Sequence, residues 1–216
     1  MIKEQNRVHE PVIRRLPRYR RYLEELSERK IELVSSDELS VMTGYTPSLI
    51  RKDLINFGSF GKPREGYNVA ALFDGLNYAL GVKTTHNMII VGVGNQGQSI
   101  IKNTYYCKMG FNIVGLFDIN PNLIGLRVNN TIIRDAKELE VYLKENVIDI
   151  GIISTPKYIA QHIADVLSAG EVKGILNFAP VDIRVPQNVC VQNIHVCDSL
   201  NLLSYAISEK IKKVVL

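Results

Sequence analysis

The sequence predicts an α/β chain in two modules, a largely helical N-terminal part and a C-terminal part built on a parallel sheet. Two observations carry this. Between residues 11 and 80 apolar residues recur at helical spacing (Ile13, Leu16, Tyr19, Leu23 and Leu26, then Leu39, Met42, Leu49, Ile50 and Leu54), with no strand-like alternation before about Phe57. From Asn87 onward, short apolar runs (MIIVGV, NIVGLFD, DIGIIST, GILNFA and VCVQNIHV) alternate with helical stretches, the grammar of βαβ units. A chain of 216 residues that is 46% apolar can fill two cores. The pattern changes near Gly81 to His86, which gives modules at 1–82 and 83–198 and a closing helix at 199–216.

Composition narrows the function. No apolar run approaches the roughly 18 residues of a membrane span, and the opening MIKEQNRVHEPVIRR lacks the apolar centre of a signal peptide. A cytoplasmic protein without membrane contact is expected. Cys107, Cys190 and Cys197 form no C-x-x-C pair, and no His/Cys set has zinc spacing, so reduced thiols and no metal are expected. The net charge is only +4, but residues 1–21 hold Lys3, Arg7, Arg14, Arg15, Arg18, Arg20 and Arg21 against Glu4 and Glu10.

In the helical module, Ser35 or Ser36 is placed to cap a helix with Glu38 as capping-box partner, and Gly44 stops it. Thr46 then caps a second helix, PSLIRKDLINFG, with Pro47 at its first position. Two short helices around a glycine turn form a helix-turn-helix, whose second helix must enter a major groove about 12 Å wide. Thr46, Ser48, Arg51 and Lys52 are the candidate DNA contacts there, with Arg14, Arg15 and Arg18 on the preceding basic segment. NFGSFGKPREGYNV, rich in glycine, adds a hairpin with Lys62 and Arg64 at its tip, a wing that would meet phosphates. Ordinary helix packing with a solvated basic face remains the other reading of these residues.

The C-terminal module carries Gly92, Gly94 and Gly97 in the spacing G-x-G-x-x-G. A strand leads in, the helix QSIIKNTYY leads out, and a second strand ends at Asp118. Gly92 permits the turn, Gly94 lets backbone approach a pyrophosphate and Gly97 allows close helix packing. Val93, Asn95 and Gln96 complete the loop, and the helix N-terminus offers unpaired N–H groups. Asp118 would accept from a ribose hydroxyl and repel a 2′-phosphate, which selects NADH and NAD+. Ser154, Thr155 and Pro156, and then Asn177, Phe178, Ala179 and Pro180, follow strands and would line the nicotinamide end. A fold of this kind that has lost its ligand, or holds another adenine nucleotide, stays open.

Chemistry to use such a cofactor is harder to find. His9, His86, His162 and His195 form no acid/base pair with an orienting carboxylate, and no tyrosine has a lysine four residues later. Residues 87 to about 198 barely complete a nucleotide fold. The expectation is a protein that binds the cofactor without turnover and has no catalytic residue. A small NAD-dependent dehydrogenase, or a nucleotide-binding protein without regulatory role, is the alternative.

The whole chain resembles the Rex family of redox-sensing transcriptional repressors. The matching stretches are IRRLPRYRRYLEEL (13–26), VSSDELS (34–40), IRKDLINFGSFGKPREGYNV (50–69), VGVGNQG (91–97), FDINPNLIG (117–125) and GILNFAP (174–180). The resemblance implies an N-terminal winged helix-turn-helix domain and a Rossmann-type parallel-sheet domain. It further implies a homodimer with an exchanged C-terminal helix, and binding of double-stranded operator DNA that NADH weakens. Two half-sites read by a two-fold dimer imply an inverted-repeat operator. The tail SLNLLSYAISEKIKKVVL sets Leu200, Leu203, Ile207, Ile211 and Val214 on one helical face, to pack on its own domain or on a second copy. The chain departs from the family where a tyrosine and an aspartate are common, holding Asn103 and His195 there, with Tyr105, Tyr106, Asp198 and Arg21 as neighbouring candidates for a switch.

Overall fold

The computed structural model describes residues 8–58, 61–62, 65–82 and 84–215, the side chains of 61–62 and 210–215 excepted. Lys3, Arg7 and the wing candidate Arg64 lie outside the described residues, as do the side chains of Lys62, Ile211 and Val214. The chain divides into two compact units, Met1–Thr84 and Thr85–Leu216.

The first unit begins with α1 (Glu10–Glu28), followed by β1 (Leu33–Val34), α2 (Ser36–Thr43), α3 (Pro47–Leu54) and a short 3-10 turn. Strands β2 (Gly61–Lys62) and β3 (Gly66–Asn68) then lead into α4 (Val69–Ala79). Ser35 caps α2 reciprocally: its hydroxyl accepts from the Glu38 N–H, and the Glu38 carboxylate accepts from the Ser35 N–H. Gly44 ends α2 in the left-handed region at φ 73°, where a side chain is strained. Thr46 caps α3 and Pro47 opens it. Leu16, Tyr19, Leu23, Leu39, Ile50, Leu54, Leu72 and Leu76 close one core between the helices. Each such leucine contributes about 1.5–3 kcal/mol by leaving water. The sequence placed no strand before Phe57, yet β1 is one. It pairs antiparallel with β3, Leu33 against Asn68 and Val34 against Tyr67, forming a three-stranded sheet in the order β1-β3-β2. Two residues carry too little periodicity to announce a strand, and the partner that creates it lies more than thirty residues on.

The second unit holds β4 (His86–Val91), α5 (Asn95–Lys102), α6 (Tyr105–Lys108) and β5 (Phe111–Asp118). It continues through β6 (Arg127–Val128), β7 (Thr131–Asp135), α7 (Leu139–Glu145) and β8 (Ile150–Ile153). Last come α8 (Lys157–Ala169), β9 (Gly174–Asn177), β10 (Cys190–Asn193) and α9 (Val196–Val215). The seven strands lie in the order β10-β9-β8-β4-β5-β7-β6, parallel except for the edge strand β6. Strands β6 and β7 were not expected from the sequence. The helix expected through Tyr106 breaks after Lys102, where the Asn103 side chain accepts from the Tyr105 N–H.

Both faces of the sheet are apolar, as parallel strands require. On one face Leu139 and Leu143 of α7 and Ile163, Ala164 and Leu167 of α8 meet Ile89, Val91, Phe117 and Ile153. On the other, Ile100 and Ile101 of α5 meet Met88, Ile90, Leu116, Ile133 and Ile152. The β9–β10 connection contributes Ala179, Ile183 and Val189 to the first face, as right-handed crossovers in one direction demand. The second face of β8, β9 and β10 therefore keeps an apolar cavity of about 420 Å³, lined by Met88, Ile152, Leu176, Phe178 and Val191 among others. Helix α9 leaves Leu200, Leu203 and Ile207 exposed at 58%, 56% and 51%, so this face does not pack on its own unit.

Candidate nucleotide and nucleic-acid sites

Strand β4 is flanked by β5 and β8, and the chain turns from one side of the sheet to the other here. Ligands of open α/β sheets bind at such a point, beyond the carboxyl ends of the strands. The loop Gly92–Gly97 fills it. Gly92 has φ +95°, and a Cβ there would stand 2.5 Å from the carbonyl oxygen of Ser154, so only glycine fits between the loops after β4 and β8. Gly97 is equally closed, since a Cβ would collide with the carbonyl oxygen of Gly92. Gly94 differs: no atom lies within 4 Å of where its Cβ would be. The first turn of α5 has no side-chain cap, which leaves its N–H groups directed at that space. Asn95 and Gln96 are exposed beside it, whereas the Val93 side chain is fully buried and offers only backbone.

Asp118, at the end of β5, accepts from the Val93 N–H at 2.6 Å and from the Asn120 N–H at 2.8 Å. Each oxygen retains a lone pair, so the carboxylate is oriented by the loop and still able to accept from a sugar hydroxyl. On the other side, Ser154 donates its hydroxyl to the Gly92 carbonyl at 2.5 Å. The Thr155 hydroxyl is buried without a hydrogen-bond partner, a cost that a ligand's polar group would remove. The open space at Gly94, the uncapped amides, the acceptor at Asp118 and this unpaired hydroxyl together fit an anionic dinucleotide. Pro156 is exposed beside Thr155.

In the Asn177–Pro180 turn one side chain is engaged by the protein itself. Asn177 is fully buried; its amide donates to the Val181 carbonyl at 2.7 Å and to the Asn193 side chain at 2.8 Å, and its oxygen accepts from the Ala179 N–H. Its side chain thereby braces the turn. Ala179 is buried as well, Phe178 turns to the apolar cavity, and Pro180 is exposed. His195, in place of the family's aspartate, has Nε2 3.0 Å from an Asp182 oxygen.

In the first unit, Thr46, Ser48, Arg51 and Lys52 are exposed at the start and on the outer side of α3. Thr46 accepts from the Leu49 N–H, and one Arg51 nitrogen donates to the Ser36 hydroxyl at 2.6 Å. Arg14 is exposed and pairs with Glu10; Arg18 lies over the Tyr45 ring. Arg15 differs from both in being held by a buried carboxylate. Its guanidinium donates twice to Asp53, at 2.6 and 2.7 Å, and Tyr19 donates to the same carboxylate at 2.7 Å. The Asp53 bonds raise the Arg15 pKa above its usual value, while burial first and Asp53 second raise that of the Tyr19 phenol. Arg15 thereby has two of its five N–H groups held inside the unit. Its partner stands 38 residues away, beyond any local sequence signal.

Comparison with known proteins decides the family. Residues 7–54 match a family model described as a putative DNA-binding protein N-terminus, and residues 83–181 match a CoA binding domain model. A redox-sensing transcriptional repressor Rex from Thermoanaerobacter pseudethanolicus is 46% identical over 97% of this chain and 93% of its own. The chain belongs to the Rex family of redox-sensing transcriptional repressors. The Rex of Clostridium tetani is also 46% identical, over 92% of this chain and 94% of its own. A crystal structure of RSP in complex with beta-NADH superposes with a TM-score of 0.88 at 45% identity, covering 97% of this chain and 99% of that one. RSP in complex with beta-NAD+ and operator DNA gives 0.88 at 46% identity, with 97% of each chain covered. The Rossmann-type and DNA-binding halves of a Rex chain are thus both present, and no described helix is long and apolar enough to cross a membrane.

Proposed function

We propose that this chain is a transcriptional repressor that senses the balance of NADH and NAD+, binding inverted-repeat operator DNA as a homodimer and leaving it when NADH binds. The observation that carries the reading is the coexistence of two ligand-ready sites in one chain of the Rex family. One is an open dinucleotide loop around Gly94; the other is an outward polar edge on α3. RSP, similar over the full chain, has been crystallised with NADH and with NAD+ plus operator DNA.

The pyrophosphate would be held by the Gly92–Gly97 loop and the α5 N-terminus, the ribose by Asp118, and the nicotinamide end by Thr155, Pro156 and the Asn177–Pro180 turn. When bound, the cofactor supplies a ring that is cationic and planar in one oxidation state, neutral and puckered in the other. Only contacts that distinguish those rings move the DNA equilibrium, however tightly Asp118 holds the far end. Linkage then requires operator DNA to weaken NADH binding by the same factor. The exposed face of α9 supports a dimer by exchange of this helix. A cytoplasmic regulator that does not turn over its cofactor completes the reading.

The test is a titration of a fluorescent inverted-repeat duplex with the full chain at fixed salt, without nucleotide, with NAD+ and with NADH. Weaker binding with NADH alone is expected. Equal affinity in all three conditions overturns the sensor, and NADH oxidation coupled to a small carbonyl compound would support the dehydrogenase instead.

A further inference from the structure

The Arg15, Asp53 and Tyr19 cluster ties α1 to α3 in the first unit through one buried carboxylate. Asp53 is 1% exposed and accepts three hydrogen bonds of 2.6 to 2.7 Å, two from the Arg15 fork and one from the Tyr19 hydroxyl. The donors stand four residues apart on α1, and so share a face. The acceptor sits on α3, directly after Lys52 and two residues after Arg51.

Position on a helix makes this significant. With about 100° of turn per residue, an inward Asp53 sends Arg51 to nearly the opposite side and Lys52 to the flank, and both are exposed as observed. Ile50 and Leu54 are also buried on the inner face. Apolar burial is non-directional and tolerates small rotations or slides of a helix. A bidentate guanidinium–carboxylate pair does not, because two parallel bonds fix both angle and advance. A buried ion pair gains little stability over an apolar pair of similar volume. Its distinctive contribution here is therefore alignment.

We propose that Asp53, clamped by Arg15 and Tyr19, is the positioning residue of the DNA reader, setting the rotation at which Ser48, Arg51 and Lys52 meet base edges. The proposal rests on the reading of α2 and α3 as the DNA-binding pair. Arg15 then acts through α3 without touching a phosphate.

The experiment uses the full-length chain, a duplex selected by the wild-type protein from a random pool, and a scrambled duplex of equal length. Two variants are compared, Arg15→Lys, which keeps the charge but loses the fork, and the double replacement Arg15→Met with Asp53→Leu, which substitutes an apolar contact. Circular dichroism and unchanged NADH affinity establish that each is folded. For the double variant the selected-to-scrambled affinity ratio should fall about tenfold to a hundredfold, the cost of misplacing one base contact. Scrambled-duplex affinity and the salt dependence of binding should stay at wild-type values. Arg15→Lys should lose part of the ratio despite its retained charge. An unchanged ratio in the folded double variant overturns the proposal, reducing the cluster to a packing element. Equal loss on both duplexes with a salt slope smaller by about one overturns it in favour of a phosphate contact by Arg15. If the wild-type chain itself selects no duplex, the DNA reading fails first, and the proposal with it.

Discussion

Gly94 and Gly97 stand three residues apart in one loop, yet substitution at each should fail in a different way. At Gly94, φ is −67° and nothing lies within 4 Å of a Cβ position, so Gly94→Val should change folding stability by less than about 0.5 kcal/mol. The added side chain fills the space ahead of the α5 N-terminus. Loss of one charge-assisted phosphate bond, about 1.5–3 kcal/mol, raises the NADH dissociation constant by roughly 10- to 150-fold. At Gly97 a Cβ collides with the Gly92 carbonyl oxygen and stands 3.2 Å from the Ser154 hydroxyl. Overpacking of that kind costs about 1–3 kcal/mol, so Gly97→Ala should lower the melting point of the second unit by roughly 2–10 °C. Calorimetric titration with NADH and a scanning melt of each variant check both values. Wild-type NADH affinity in Gly94→Val, or a melting point there as low as that of Gly97→Ala, would refute the assignment of open and closed positions.

Further outcomes follow from other residues. Lys52→Ala, which removes a base-edge donor, should lower the affinity ratio of a selected to a scrambled duplex by about fivefold to 150-fold, read by anisotropy at fixed salt. Ser35→Ala removes the reciprocal cap of α2 and should cost about 1 kcal/mol in a denaturant titration. The Lys173 ammonium, 2.7 Å away, holds the Asp149 carboxyl below its usual range, opposed by burial and helped by the Asn87 N–H. That stabilisation is complete above the ordinary aspartate range and lost as pH falls through the lowered value. Lys173→Met should therefore shift the onset of acid unfolding to higher pH, followed by circular dichroism. On the proposed exchange of α9, the unaltered chain should sediment as a dimer and Leu203→Glu, on the exposed face of that helix, as a monomer, with far-ultraviolet circular dichroism retained.

What the sequence disclosed depended on how local each signal was. The capping box at Ser35, the stop at Gly44 and the Thr46–Pro47 start each involve neighbours within four residues, and all three stand where the sequence places them. The glycine loop likewise follows one apolar strand and precedes one helix. Strand β1 was invisible because Leu33 and Val34 become a strand only against Asn68 and Tyr67. Arg15 was indistinguishable from Arg14 or Arg18 until Asp53 came beside it. The bracing role of Asn177 was hidden for a related reason: a polar residue after a strand suits a site, a brace or both. The bracing role became visible only with its partners, Val181 and Asn193.

The ladder of the sheet does not stop where its strands do. The Ile194 N–H bonds to the Asn177 carbonyl at 2.8 Å, and α9 starts at Val196, so His195 alone separates the sheet rim from a helix of 20 residues. Twenty helical residues make a rod about 30 Å long. With so short a fulcrum, a tilt of about 5° at the root would sweep the far end through roughly 3 Å. Any adjustment around the Asn177–Pro180 turn thus reaches the tip enlarged, with almost no slack to absorb it.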